Sequence, residues 1–277
     1  MNRDQLESVF KQLGLARGDT VFAHSSLSSI GRVEGGAEAV VDALLGVLGS
    51  EGTLAVPTFT FDNDGVLFDP RADPSGMGRI SEAVRLRPQA LRSVHRFHSV
   101  AAMGRHAATI TAVHGPSAWA GDGPFWQFYA LDARILLLGV SYHTCTFFHL
   151  IEQLLQVSYR QWEIDLGQVR QADGRKQPWT SHIFAQTPDS PGNDFNKFGA
   201  VLEERGLVGI GTAGNAIARL FKAGEALREG VECYRRDPMI FARSDGQRTL
   251  LRDGVEIANA RSVVDPEGVF SGSGPAG

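Results

Sequence analysis

Arg134-Ile135-Leu136-Leu137-Leu138-Gly139-Val140 is a seven-residue run with one charge, at its first position, and it decides the fold. A short, continuous apolar run reads as a strand buried on both faces. A few residues on, Thr144-Cys145-Thr146-Phe147-Phe148-His149-Leu150-Ile151-Glu152 opens a second apolar run, reaching Val157, long enough for a helix. A strand that feeds a helix is the unit of an α/β fold, and functional sites in such folds gather where strands end. His149 and Glu152 stand three residues apart, which on a helix places both side chains on one face. A carboxylate that holds one ring nitrogen fixes the tautomer and makes the other nitrogen a better base. The competing reading is a core histidine beside Phe148 and Leu150, with Glu152 a solvated helix residue.

Working outward, apolar residues at 6, 9, 10 and 13 predict a helix over 4–13. Thr20–Ala23 reads as a strand running into the polar loop His24–Ser29, and Ala37–Leu48 as a helix. Thr53–Phe59 is predicted as a strand, 62–78 as an Asp/Gly/Pro loop, Arg79–Leu86 as a helix and Ser99–Met103 as a strand. A helix over 107–113 and a loop over Gly115–Pro124 follow. In the second half, Trp162–Val169 reads as a strand and Gly174–Gly192, with three prolines, as loop. Asp194–Arg205 and Asn215–Leu227 read as helices. The alternation predicts an α/β protein with a mostly parallel sheet, a single domain over 1–270 with a loop-rich C-terminal half, and a flexible tail over 271–277.

The formal charge of −4 leaves no basic footprint for nucleic acid. No run approaches the ~18–20 apolar residues needed to cross a bilayer, so no membrane partner is expected. Two cysteines, Cys145 and Cys233, make no disulfide framework, and the N-terminus carries acids rather than a signal sequence; a cytoplasmic protein is the expectation.

Three further segments carry chemistry. His24-Ser25-Ser26-Leu27-Ser28-Ser29-Ile30-Gly31 offers hydroxyls and N–H groups at a strand end, either an anion cradle or ordinary helix capping. Arg92-Ser93-Val94-His95-Arg96-Phe97-His98-Ser99 concentrates cations, suited to phosphate or to a basic surface loop. Gly209-Ile210-Gly211-Thr212-Ala213-Gly214 matches a dinucleotide fingerprint in letters only, because two residues of strand precede it; it reads as a tight turn. His143, Cys145 and His149 match no common zinc spacing, so no metal is expected.

Taken in order, His24–Gly31, Val56-Pro57-Thr58-Phe59-Thr60, Arg92-Ser93-x-His95-x-x-His98-Ser99-Val100-Ala101-Ala102-x-Gly104, Leu136–Val140 and Cys145-Thr146-x-x-His149-x-x-Glu152 resemble the aminoglycoside 3-N-acetyltransferase family over roughly residues 5 to 230. The resemblance implies a three-layer α/β/α fold with a mixed sheet and acetyl-CoA as cosubstrate. It implies acetyl transfer to an amine of a cationic aminoglycoside. His149 would be the general base, Glu152 its orienter, and Thr146 would lie near the thioester carbonyl. Ser25, Ser26, Leu27, Ser28, Arg92, Ser93, Ser99 and Val100 would meet the cofactor. A monomer or homodimer is expected. Arg96 departs from the pattern, which has proline there, and adds a charge near the expected CoA phosphates. Glu163, Asp165, Asp173 and Asp189, in a stretch that matches nothing confidently, offer partners for ammonium groups or are solvated surface acids. Two other readings stay open: the same chemistry on a different amine, and a ligand-binding protein without catalysis.

Overall fold

Alternate side chains of the decisive strand enter two different cores, the signature of a sheet covered on both faces. In a computed structural model, which describes residues 1–60, 67–112, 115–119 and 121–243, Ile135 and Leu137 pack into one cluster and Leu136 and Leu138 into another. The elements in order are α1 (Arg3–Leu13), β1 (Thr20–Ser25), α2 (Leu27–Ile30), α3 (Gly36–Leu48), β2 (Thr53–Pro57), β3 (Leu67–Phe68), α4 (Arg79–Arg85), β4 (Leu91–Arg92), β5 (Val100–Gly104), α5 (Ala107–Thr111), α6 (Pro124–Ala130), β6 (Arg134–Leu138), a 3-10 turn (Tyr142–Thr144), α7 (Phe148–Leu155), β7 (Arg160–Arg170), β8 (Lys176–Gln186), α8 (Phe195–Glu204), β9 (Gly209–Ala213), β10 (Ala216–Lys222) and α9 (Ala223–Arg236). The tail over 271–277 and the start of the 62–78 loop lie outside the described residues. Among the described residues, no helix is long and apolar enough to cross a membrane.

The main sheet has the order β4-β5-β2-β1-β6-β10-β9. Residues of α1, α3 and α4 fill the core on one face; residues of α5 to α9 fill the core on the other. This is the expected three-layer mixed sheet, with one correction. Parallel pairing is confined to β2-β1-β6, and both flanks are antiparallel. The β5 and β10 flanks each return beside the parallel centre rather than extending it.

The second half is more regular than expected. Gly174–Gly192 is not all loop: Lys176–Gln186 is β8, which pairs with β7 along its whole length, Arg160 opposite Gln186 and Arg170 opposite Lys176, and only the residues flanking β8 are loop. Asn215–Leu227 is not one helix. Ile217, Leu220 and Phe221 imitate helical spacing, but Ala218 to Lys222 pair antiparallel with β6, and the helix starts only at Ala223. The glycine-rich Gly209–Gly214 is the edge strand β9 and its turn into β10, which removes the dinucleotide reading. Helix α6 was not anticipated; Pro124 stands at its first turn, where a missing N–H costs nothing.

Two glycines let elements close on the site. At Gly139 the backbone takes φ +71°, and a Cβ would sit 2.7 Å from Ser29 Cβ. At Gly199 a Cβ would overlap the Tyr142 ring, so only glycine lets α8 lie against the turn that leads into α7.

Candidate active site

The chain leaves β6 through the Tyr142–Thr144 turn, which Ser141 caps by accepting from the His143 N–H. It enters α7 with His149 in the first turn. His149 Nδ1 lies 2.6 Å from Glu152 Oε2, so the ring donates Nδ1–H to the carboxylate and Nε2 is its basic atom. Glu152 has no exposed surface, and the His149 side chain keeps 13%. A buried carboxylate requires partners. Tyr159 O–H donates to Oε1 at 3.0 Å, and Arg160 Nε lies 3.0 Å from Oε2. The solvated-residue reading of Glu152 therefore does not hold.

Thr146 joins the pair through a residue that sequence reasoning placed in a loop. His24 is the fifth residue of β1, and its Nε2 lies 2.9 Å from Thr146 Oγ1 and accepts the Thr146 N–H at 3.2 Å. Burial, then the nearby charge of His149, lowers the His24 pKa to about 3, so the ring is neutral at any working pH. A neutral ring beside Thr146 fixes the residue without competing for the proton. Exchanging His24 for glutamine, whose amide reaches the Nε2 position, is expected to cost turnover about tenfold or less. Asparagine, which stops near the Nδ1 position, is expected to cost roughly a hundredfold, the scale of a small misplacement at a reacting centre. Steady-state kcat for the two variants decides the point; equal losses would show that the Nε2 contact does not matter.

Aromatic rings wall the site. Trp119 donates Nε1–H to Thr146 O at 3.2 Å and meets His149 edge-on at 5.6 Å; Phe195 meets His149 at 4.9 Å. His98 packs on Trp119 at 4.1 Å. Neither Trp119 nor Phe195 carried a sequence signal beyond being aromatic. Tyr159 and Arg160 follow Glu152 by seven and eight residues, past the helix end, where no periodicity points to them. Cys145 is fully buried, and burial pushes its thiol well above the ordinary range, which leaves no thiolate nucleophile. Among the described residues, no three His, Cys, Asp or Glu side chains are grouped to hold a metal.

The serine segment lies at the end of β1, beside His24. Ser26 caps α2, receiving Ser29 N–H at 3.4 Å and Ser29 O–H at 2.8 Å, and its Oγ lies 3.1 Å from Ser28 Oγ. Capping is thus realised. Ser25 Oγ is different: it is buried and has no hydrogen-bond partner among the described residues. Leu27 packs into the core under α1 and α3.

Arg92, Ser93, Ser99 and Val100 stand on β4, β5 and their connection, on the far side of β2 from β1. Arg92, expected at the cofactor, has its guanidinium turned inward. It donates to Ser99 Oγ at 3.1 Å, to the Asp73 carbonyl at 2.6 Å, to Thr60 Oγ1 at 2.7 Å and to the Thr58 carbonyl. Burial lowers its pKa to about 10, which leaves it charged. Ser99 donates to the Thr58 carbonyl at 2.8 Å, and Ser93 Oγ accepts the Val100 N–H at 2.9 Å. Arg92 and Ser99 thereby tie Thr58, Thr60 and Asp73 to the sheet. Arg96 does not add a bare charge: it pairs with Asp165 at 2.8 Å and lies over the Phe97 ring at 3.7 Å. Asp173 is likewise paired, with Arg175 at 2.6 Å.

The sequence profile of the family described as aminoglycoside 3-N-acetyltransferase matches residues 22–235. An aminoglycoside N(3)-acetyltransferase VII from Streptomyces paromomycinus is 31% identical over 268 residues, 83% of this chain and 90% of that protein. The crystal structure of aminoglycoside acetyltransferase AAC(3)-Xa superposes with a TM-score of 0.78 at 31% identity, covering 88% of this chain and 95% of that one. The structure of AAC-IIIb in its binary form with CoASH superposes with a TM-score of 0.76 at 22% identity, over 88% and 98% of the two chains, a likeness of fold.

Proposed function

Because the chain belongs to the aminoglycoside 3-N-acetyltransferase family, we propose that it transfers an acetyl group from acetyl-CoA to an amine of an aminoglycoside, with His149 as general base. The observation that carries this reading is the buried 2.6 Å contact between His149 and Glu152 just past the end of β6. The acceptor amine is protonated in neutral water and must shed a proton before or as it attacks. His149 Nε2 takes that proton, and Glu152 holds the imidazolium that results. The amine nitrogen bonds to the thioester carbonyl carbon, the carbon–sulfur bond breaks, and its electron pair leaves on sulfur, to be protonated as the free thiol. The negative charge that builds on the carbonyl oxygen requires hydrogen-bond donors. Thr146, held by His24 and Trp119, is the fixed group beside the base, and its hydroxyl would serve by turning its O–H from His24 Nε2 to the carbonyl oxygen.

Ser25 to Ser28 are the residues we assign to the acyl donor, since the buried Ser25 hydroxyl is an unused hydrogen-bonding group next to His24. Arg92, Ser93 and Ser99 then act by holding the neighbouring segment rather than by reaching the donor. One observation favours a second acceptor class, a smaller and less cationic amine: two of the four acids of the 161–193 stretch, Asp165 and Asp173, are already paired within the chain. Thiol release from acetyl-CoA across a panel of aminoglycosides and simple amines, followed by product mass, tests both. A product one acetyl group heavier from an aminoglycoside supports the first reading, and one from simple amines alone supports the second. Silence from every amine, with acetyl-CoA still bound, overturns both.

A further inference from the structure

Resting on the reading of His149 as base, we infer that Arg160 is a positioning residue for the reaction: its buried cation balances Glu152, so that the His149–Glu152 pair does not keep a proton at rest. Both partners converge on one oxygen. Glu152 Oε2 lies 2.6 Å from His149 Nδ1 and 3.0 Å from Arg160 Nε. The Arg160 side chain is 5% exposed, and two further contacts fix its plane: Nη1–H donates to the Phe184 carbonyl and Nη2–H to Asn193 Oδ1, both at 2.9 Å. The guanidinium is thus anchored to β8 and to the segment before α8, and stands at ion-pair distance from the carboxylate.

The chemistry of the pair explains why a cation belongs there. A buried carboxylate with imidazole as its sole partner favours the imidazolium, and an imidazolium cannot accept a proton from the acceptor amine. A second cation on the same oxygen opposes that. Arginine is suited to the task because it cannot lose its charge in the working range. Tyr159 assists from Oε1 with a neutral hydrogen bond at 3.0 Å. The other titratable groups facing the pair do not duplicate this role. His24, on β1, is held neutral with a pKa of about 3, mainly by burial. His98 stands behind Trp119, Tyr234 of α9 faces Tyr159, and Asp194 precedes Phe195, whose ring touches His149.

The test reads proton binding and rate separately. The pH profile of kcat/KM for the acceptor, and an NMR titration of the His149 ring, are recorded for the native protein and for Arg160→Gln, Arg160→Lys and Tyr159→Phe. In Arg160→Gln the acid limb and the ring titration both move to higher pH by roughly one unit, the direction expected when a like charge is removed from beside the imidazolium. Arg160→Lys keeps the charge and stays near the native limb. Tyr159→Phe moves in the same direction by less, and Arg160→Met, which keeps the stem without the charge, is recorded in the same way and decides the matter if Arg160→Gln does not fold. Limbs that superimpose on the native one overturn the inference, whatever rate or Tm is lost, because Arg160 is then only a packing group. The ring titration needs no acceptor. If it moves while no amine in the panel is acetylated, the charge balance stands and the acetyl-transfer reading falls.

Discussion

His149→Ala lowers kcat by about 10²–10⁴-fold, the range lost with a positioned general base, while the apparent affinity for acetyl-CoA changes little. The asymmetry follows from placement. His149 is on α7 between Trp119 and Phe195, whereas the serine segment assigned to the donor is on β1 and α2. Deleting the imidazole removes the proton acceptor and leaves Ser25 to Ser28 untouched. The remaining activity should also lose its acid limb, since the native rate falls at low pH when the imidazole is already protonated. Initial rates of thiol release from pH 5.5 to 9 at saturating acetyl-CoA measure both effects. A variant with native turnover would remove His149 from the chemistry.

Glu152→Gln is expected to cost folding stability as well as turnover. Glu152 is fully buried and faces His149, Tyr159 and Arg160 together. A neutral amide leaves the Arg160 cation buried without its counter-charge, and breaking a buried pair in this way costs about 3–5 kcal/mol. An amide that keeps some of the hydrogen bonds puts the expectation near the lower end, about 3 kcal/mol. Urea unfolding should show a lower midpoint with an unchanged slope. Adding Arg160→Gln to the same chain should cost less than the sum of the two single losses, because the second change removes the stranded charge. Full additivity would mean that the two residues are not coupled.

The legible parts of this protein are those whose signal is local. The β6 run announces a strand buried on both faces because Ile135 to Leu138 all enter one core or the other. The His149–Glu152 spacing survives folding because a helix turns three residues into neighbours. What failed was set by pairing at a distance. Ile217, Leu220 and Phe221 have helical spacing, yet β6 needed a second neighbour and took them as a strand. Strand β8 begins with Lys176, Gln177 and Pro178, all exposed, so its outer half has no buried face to give it an alternating pattern. His24 reaches Thr146 across 122 residues because β1 pairs with β6 in a register that sets His24 opposite Leu137. Arg92 shows a different limit: a guanidinium written in sequence is the same whether it ends on phosphate or on the chain's own carbonyls, and here it ends on carbonyls.

The position of β6 between β1 and β10 bears on how the protein is made. During synthesis β1 is available as soon as β6 leaves the ribosome, but β10 comes later, after the long β7–β8 hairpin and α8. At about 5–20 residues per second, that delay lasts several seconds. Through that interval the edge of Ile135-Leu136-Leu137-Leu138 has no partner, and an open apolar edge is a template for pairing with another nascent chain. Chains terminated before Ala216 should therefore collect in inclusion bodies to a greater extent than chains that include β10.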